Sequence, residues 1–189
     1  MVQITFEAHG TSYDNEAKLS SGWYDVELSE LGMKQSKELG ERYKNDNFDA
    51  IFCSDLQRSY NTAEIAFAGR NLPIIKDQRL RECNYGDLTR HPSEEVEPAK
   101  VDHIIVPFPN GESYEQTAER MGSFLKGLLR DYEGKKIMII GHRATQYGLE
   151  RWINNIPLDK SVAATWKWQP GWAYNLNGMD YRQADFQRR

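Results

Sequence analysis

The chain has 189 residues, and 24 lysines and arginines stand against 28 aspartates and glutamates, so its formal net charge at pH 7 is −4. This length fits one domain over residues 1–189 with a sizeable core and requires no second domain. The acidic and basic residues are interspersed, which argues against nucleic acid as a partner. Neither a signal-peptide pattern nor an apolar run of the roughly 18 residues needed for a membrane span is present, so we expect a soluble protein that contacts no membrane.

The two cysteines, Cys53 and Cys83, have neither a metal-ligand spacing nor the arrangement of a disulfide framework. A reduced, cytoplasmic setting fits them best. No cluster of His, Asp and Glu has metal-ligand spacing either, so the sequence predicts no metal site and no cofactor.

The first predicted element is a strand, because Val2, Ile4, Phe6 and Ala8 alternate with polar residues. His9 stands at the end of this strand and is followed by a turn that contains Gly10. A glycine lets the backbone approach a ligand closely, and the sheet behind it holds the imidazole in place.

Helical spacing of apolar residues follows, with Ser29 placed to cap the first helix. About a quarter of the way along the chain, residues 48–53 form an apolar run that predicts another strand. Ser54 and Gln57 then have the spacing of a capping box, which predicts a helix with Arg58 in its first turn.

The later part of the chain predicts a long amphipathic helix near 114–132 and a strand at 137–140, buried on both faces. His142 stands between that strand and a helix that starts near Ala144 and continues towards Ile156. Strands alternating with helices predict an α/β fold, a three-layer α/β/α sandwich around a mostly parallel sheet, with ligands at the carboxyl ends of the strands. Residues 87–110 read as an irregular excursion over that site.

Four short segments in this order resemble the motifs of the histidine phosphatase superfamily, the phosphoglycerate-mutase-like proteins. They are residues 8–11 (Ala-His-Gly-Thr), 54–59, 79–82 (Arg-Leu-Arg-Glu) and 141–142 (Gly-His). Residues 21–32 are similar to the mutase branch, and the resemblance covers about residues 2–155. One residue departs from the pattern, since Ala8 replaces the first Arg of the family's Arg-His-Gly motif.

The resemblance implies roles for individual residues. It makes His9 the nucleophile, Glu82 the proton donor, and Arg58 and His142 the catalytic phosphate clamp, and it aligns Asn15 with an amide that donates to the same group. Ala8 removes a guanidinium that would grip the phosphoryl oxygens.

We expect Arg143, directly after His142, to be the nearest replacement for that cation, although it could equally point to solvent or pair with an acidic neighbour. Gly10, Thr11, Ser21 and Gly22, from the matching segments, complete the predicted substrate-binding set.

These observations favour a metal-independent phosphatase of the histidine acid phosphatase type, which hydrolyses a small phosphomonoester through a phosphohistidine on His9. A cofactor-dependent phosphoglycerate mutase is the alternative, but residues 87–110 carry only Arg90 and Lys100 against five carboxylates, so water should compete for the phosphoenzyme. A pseudo-enzyme that binds a phosphorylated ligand is the third interpretation, favoured by Ala8. The expected partner is a small phosphorylated substrate, and the aromatic C-terminal section leaves a homodimer open.

Overall fold

The computed structural model describes residues 1–177 and contains a five-stranded sheet of order β3-β2-β4-β1-β5. The strands are β1 (Val2–Ala8), β2 (Ala50–Cys53), β3 (Ile74–Lys76), β4 (Lys136–Gly141) and β5 (Trp172–Leu176). Strands β1 to β4 are parallel, and β5 pairs antiparallel with β1 at one edge. The predicted mostly parallel α/β sheet is therefore confirmed.

Helices cover both faces of this sheet. They are α1 (Tyr13–Glu16), α2 (Glu30–Arg42), α3 (Gln57–Ala66), α4 (Ser93–Ala99), α5 (Tyr114–Asp131), α6 (Arg143–Asn154) and α7 (Leu158–Ala163), with 3-10 turns at Gln78–Leu80, Gly86–Leu88 and Lys100–His103. Helices α2 and α3 pack on one face, and α5 and α6 pack on the other. Three layers result, as predicted. No helix within residues 1–177 is long and apolar enough to cross a membrane.

The central strand β4 is apolar at residues 137–140 because helices cover both of its faces. Ile137 and Ile139 belong to the cluster under α5 and α6, whereas Met138 and Ile140 belong to the cluster under α2 and α3. Successive side chains of a strand point to opposite faces, so a strand covered on both sides must be apolar at every position. The sequence pattern of this segment thus fixes it in the middle of the sheet.

Two predicted helix caps have different outcomes. Ser29 caps α2 as predicted, because its side chain accepts a hydrogen bond from the Gly32 amide at 3.3 Å. The predicted capping box of Ser54 and Gln57 is wrong: α3 begins at Gln57 after Leu56, without a side-chain cap. Ser54 instead turns its hydroxyl to His142, so a tertiary partner replaces the local one.

The excursion at residues 87–110 is more regular than predicted. It contains α4 and the 3-10 turn Lys100–His103. Acidic residues in the first turn, Glu94 and Glu95, stabilise α4 through the positive end of the helix dipole. Val96 of this helix is fully buried, which holds the segment against the rest of the protein.

Candidate active site

A cavity of about 610 Å³ lies at the carboxyl ends of β1 and β4. It brings together every residue that the sequence nominated for catalysis or binding: His9, Gly10, Thr11, Asn15, Ser21, Gly22, Arg58, Glu82, His142 and Arg143. Residues separated by more than 130 positions in the chain therefore line one cavity. Ala8 borders the same space.

The pairing of β1 with β4 places the two histidines side by side. Ala8 lies opposite Gly141 in the parallel register, and the amide of His9 donates to the carbonyl of Gly141 at 3.1 Å. The imidazole rings meet edge to face, with centroids 4.9 Å apart and planes inclined by 60°. One phosphoryl group can contact both rings at this separation.

His9 is held as a neutral imidazole. Its Nδ1 lies 2.7 Å from the carbonyl of Gly10, an acceptor, so Nδ1 carries the proton and Nε2 is left with a free lone pair. Burial and the positive charge of Arg58 lower the pKa of His9 to about 3, although the Gly10 carbonyl opposes the shift. Its Nε2 is therefore available as a nucleophile at neutral pH.

Arg58 is positioned by backbone carbonyls of the first loop. Its guanidinium donates from Nη1 to Tyr24 at 2.9 Å and from Nη2 to Gly22 at 2.7 Å, and the side chain is only 2% exposed. Gly22 reaches this position with a φ of 51°, in the left-handed region that favours glycine. The loop thus fixes the cation on which the charge of the cavity depends.

His142 is neutral as well, since burial and the positive charge of Arg58 lower its pKa well below the ordinary value. It is 2% exposed. Its Nε2 lies 2.7 Å from the hydroxyl of Ser54, whereas its Nδ1 is buried without a hydrogen-bond partner.

Glu82 lies at the N-terminus of α6. Its carboxylate accepts hydrogen bonds from the Cys83 amide at 2.8 Å and from the Ala144 amide at 3.3 Å. Trp23 and Arg120 both donate to its backbone carbonyl. The first turn of a helix attracts anions, so the same end of α6 that meets Glu82 can also favour a bound phosphoryl group.

The loop after His9 is shaped by close contacts with α2. A Cβ at Gly10 would lie 2.6 Å from the carbonyl oxygen of Gly32, so only glycine fits there. Asn15 accepts through Oδ1 from both the amide and the hydroxyl of Ser12, at 3.0 Å each. Its amide NH2 group is thereby directed away from Ser12 and can donate to a ligand.

Arg143 lies on the same side of the sheet as Ala8. Alternation along β1 gives Ala8 the face of Phe6, which α6 covers, and Arg143 is the first residue of α6. Its guanidinium donates to Glu97 at 2.7 Å and lies 5.3 Å from the centre of the Trp166 ring. The sequence left open whether Arg143 lies at the site or pairs with an acidic neighbour. The structure shows both, because Arg143 borders the cavity and also pairs with Glu97.

Lys100 completes a cluster on the wall formed by the excursion. Its Nζ donates to the other oxygen of Glu97 at 2.7 Å, and the side chain is 3% exposed. One carboxylate from α4 therefore bridges two cations at the cavity. Sequence reasoning missed this cluster, because the acidic run in residues 94–97 has the composition of a solvated surface helix.

The opposite wall contains a second unforeseen group. Glu7 is 1% exposed and accepts a hydrogen bond from the hydroxyl of Tyr43 at 2.7 Å, and Arg42 of α2 lies 3.4 Å from the same oxygen. Burial raises the pKa of Glu7. The sequence carried no signal for this group, because Glu7 falls on the polar positions of the alternation in β1.

Within the described part of the chain, no group of three or more His, Cys, Asp or Glu side chains is arranged to hold a metal ion. The positive charges at the cavity come from arginine and lysine side chains.

Comparison with known proteins identifies the class. The family model of the histidine phosphatase superfamily, branch 1, matches residues 4–170. A protein called phosphoglycerate mutase from Schizosaccharomyces pombe is 37% identical over 155 residues, covering 74% of this chain and 73% of the relative. The uncharacterized phosphatase PhoE of Bacillus subtilis is 32% identical over 149 residues, with 79% and 76% covered. The chain belongs to the histidine phosphatase superfamily.

The fold agrees with this assignment. The solved structure of YhfR from Bacillus stearothermophilus superposes with a TM-score of 0.81 at 25% sequence identity, covering 94% of this chain and 93% of that one. The relatives named above include both a mutase and a phosphatase. Membership of the superfamily therefore does not distinguish these two activities, and the residues of the site must do so.

Proposed function

We propose that the protein is a metal-independent phosphatase that hydrolyses a small organic phosphomonoester through a phosphohistidine on His9. The observation that carries this proposal is the state of His9: a neutral imidazole, with Nδ1 held by Gly10 and Nε2 free, in one cavity with Arg58, Glu82 and His142. A nucleophile, an acid and fixed positive charge are what phosphoryl transfer requires.

In the first step, Nε2 of His9 attacks phosphorus, and the bond from phosphorus to the ester oxygen breaks. Glu82 gives its proton to the departing oxygen. A carboxyl group beside the departing oxygen serves as the general acid of this step. Arg58, His142 and the N-terminus of α6 stabilise the charge on the non-bridging oxygens.

In the second step, water attacks the phosphorus of the phosphohistidine. Glu82, now a carboxylate, takes the proton from that water, and the bond between nitrogen and phosphorus breaks. Inorganic phosphate leaves, and His9 returns to its neutral form. The same carboxyl group thus serves both steps, first as acid and then as base.

Hydrolysis is favoured over mutase activity by the wall that the excursion provides. A mutase must retain a bisphosphate between half-reactions, which calls for cations free to bind its second phosphoryl group. Here Lys100 is paired with Glu97, and Arg143, the other cation of this wall, is needed for the phosphoryl group that is transferred, so neither cation is left for a second phosphoryl group. The similarity to a phosphoglycerate mutase supports the mutase as the second candidate.

Arg143 supplies, in this proposal, the positive charge that Ala8 cannot. The two positions share a face of the sheet, and Arg143 borders the cavity with its guanidinium held against Trp166. Glu97 orients it.

A panel of sugar phosphates, phosphoglycerates, nucleotides and phosphoamino acids tests the proposal by release of inorganic phosphate. We expect hydrolysis of at least one compound in excess chelator, and none with His9→Ala. Transfer from a bisphosphate to a phosphoglycerate that exceeds hydrolysis would favour the mutase. Inertness across the panel, with binding retained, would favour a pseudo-enzyme.

A further inference from the structure

The alcohol part of a substrate would lie beside Glu82. Phosphoryl transfer places the attacking and leaving groups roughly in line, so the ester oxygen departs on the side of phosphorus opposite to Nε2 of His9. As the acid, Glu82 must come within hydrogen-bond reach of that oxygen. The side chains around Glu82 therefore meet the alcohol and can determine which substrates are accepted.

Lys100 and Arg143 belong to these side chains, and both border the cavity together with Glu82. Burial and the charge of Arg143 lower the pKa of Lys100, and the charges of Glu97 and Glu82 oppose this shift. The pKa of Arg143 is raised, because Glu97 and Glu82 contribute to an attraction that outweighs burial. Nζ of Lys100 also lies 5.5 Å from the centre of the Tyr85 ring, which borders the cavity three residues after Glu82. The wall beside the departing oxygen therefore contains two cations.

Glu97 occupies both of these cations. Its Oε1 accepts a hydrogen bond from Nζ of Lys100, and its Oε2 accepts one from Nη1 of Arg143, each at 2.7 Å. A carboxylate that bridges two cations stands where a carboxylate or a second phosphoryl group of a substrate would otherwise bind. Once Arg143 binds the transferred phosphoryl group, Lys100 and Glu97 remain as a neutral pair. The carboxylate of Glu97 then repels any further anion.

We propose that Glu97 is a specificity-determining residue, which excludes substrates whose alcohol carries a second anionic group and selects phosphate esters of uncharged alcohols. This inference rests on the proposed function. Glycerol 3-phosphate and 3-phosphoglycerate form the discriminating pair, because a hydroxymethyl group in the first compound corresponds to a carboxylate in the second. Both carry the same phosphoryl group, so an effect of Glu97 on phosphoryl binding through Arg143 cancels in their ratio.

The first measurement is kcat/KM of the wild-type protein for these two compounds in excess chelator. We expect glycerol 3-phosphate to be preferred by about tenfold or more, because like charges repel strongly in a cavity that water screens poorly. Equal or faster hydrolysis of 3-phosphoglycerate overturns this inference and leaves the proposed phosphatase activity in place. No substitution is needed for this result.

The second measurement is of binding, so it does not depend on turnover. In the His9→Ala background, calorimetry gives the Kd of each compound with and without Glu97→Gln, at pH 6 and pH 7.5. We expect Glu97→Gln to tighten 3-phosphoglycerate about tenfold relative to glycerol 3-phosphate. The gain should be larger at pH 6, because the variant lacks a charge that keeps Lys100 protonated. Adding Lys100→Met should abolish the gain, since the freed cation is then absent.

Glu94→Gln in the same background is the matched control. Glu94 lies on the same helix, α4, is exposed and does not border the cavity. It loses the same charge and should leave the ratio of the two Kd values unchanged. A ratio that Glu97→Gln changes at neither pH, or that Glu94→Gln changes equally, overturns the inference. The expected shift in binding, without hydrolysis of any phosphate ester by the wild-type protein, overturns the proposed function alone.

Discussion

The two sides of the cavity are held by different kinds of interaction. On the nucleophile side, Arg58 and His9 contact backbone carbonyls and His142 contacts a buried hydroxyl. On the excursion side, Arg143 and Lys100 are held by one shared carboxylate, Glu97. Backbone groups keep their positions as long as the fold persists, whereas a half-buried ion pair responds to salt, pH and any competing anion.

The difference separates two functions. The rigid side can determine the chemistry, because its nitrogens are fixed relative to one another before a ligand arrives. The ion-paired side can adapt, because a phosphoryl group can compete with Glu97 for Arg143. Removing a group from the rigid side should therefore abolish turnover, and removing one from the adaptable side should weaken it.

The largest effect is expected for His9→Ala. Loss of the only proposed nucleophile should lower kcat by roughly 10⁴-fold or more and abolish any acid-labile phosphoenzyme. Rapid quench with a ³²P-labelled substrate measures both. Turnover within tenfold of wild type would place the nucleophile elsewhere and remove the distinction between the two sides.

Arg143→Ala tests the adaptable side. Loss of a charge-assisted contact should lower kcat/KM by an amount that corresponds to about 2–4 kcal/mol of lost transition-state stabilisation. Ala8→Arg should partly rescue this variant and give little benefit alone, so steady-state kinetics of the double-mutant cycle measure the coupling.

Two other arginines, Arg151 and Arg42, provide comparison variants for Arg143→Ala. Arg151 of the same helix pairs with Glu115 and does not border the cavity, so Arg151→Ala should keep wild-type kinetics. Arg42 borders the cavity beside Glu7. A larger loss for Arg42→Ala than for Arg143→Ala would transfer the compensating role to Arg42.

Glu82→Gln should slow phosphoryl transfer by about 10²-fold for substrates with poor leaving groups and much less for aryl phosphates, because good leaving groups need no proton. A plot of kcat/KM against leaving-group pKa measures this, and the slope should become steeper in the variant. Equal slowing across the series would assign the acid to another group.

The smallest effect concerns stability. The folded-state pKa of His9, about 3, is below its ordinary value of 6.5. The unfolded chain therefore binds a proton more readily, and stability decreases as pH falls below 6.5. Between pH 6.5 and 5 this histidine should cost up to about 2 kcal/mol of unfolding free energy. Urea unfolding of His9→Gln should show a correspondingly shallower decline over that range, and an identical decline would contradict the buried neutral state.

The sequence predicted the sheet well because β1 and β4 carry clear patterns. Alternation in β1 and the unbroken apolar run of β4 follow directly from burial on one or both faces. The convergence of His9 with His142 then required only that parallel strands present their carboxyl ends at one edge.

Ser54, Glu97 and Lys100 could not be predicted in the same way. Ser54 has an acceptable local partner in sequence, and only the packing of β2 beside β4 offers the better one. Glu97 belongs to an acidic run whose other members face solvent, so its pairing with Lys100 and Arg143 depends on how α4 lies against α6. Contacts between distant elements carry no signature in spacing.

The rings beneath Arg143 also give the protein an internal optical reporter. Trp166 stacks on Trp172, with centroids 5.9 Å apart, and Trp172 contacts Phe6 of β1 at 5.6 Å. The guanidinium of Arg143 forms the top of this column, at the cavity. A ligand that draws the guanidinium away changes the electric field at an indole whose own N–H is fixed by Gln146, so occupancy of the cavity can be read as a shift in tryptophan emission, without a label.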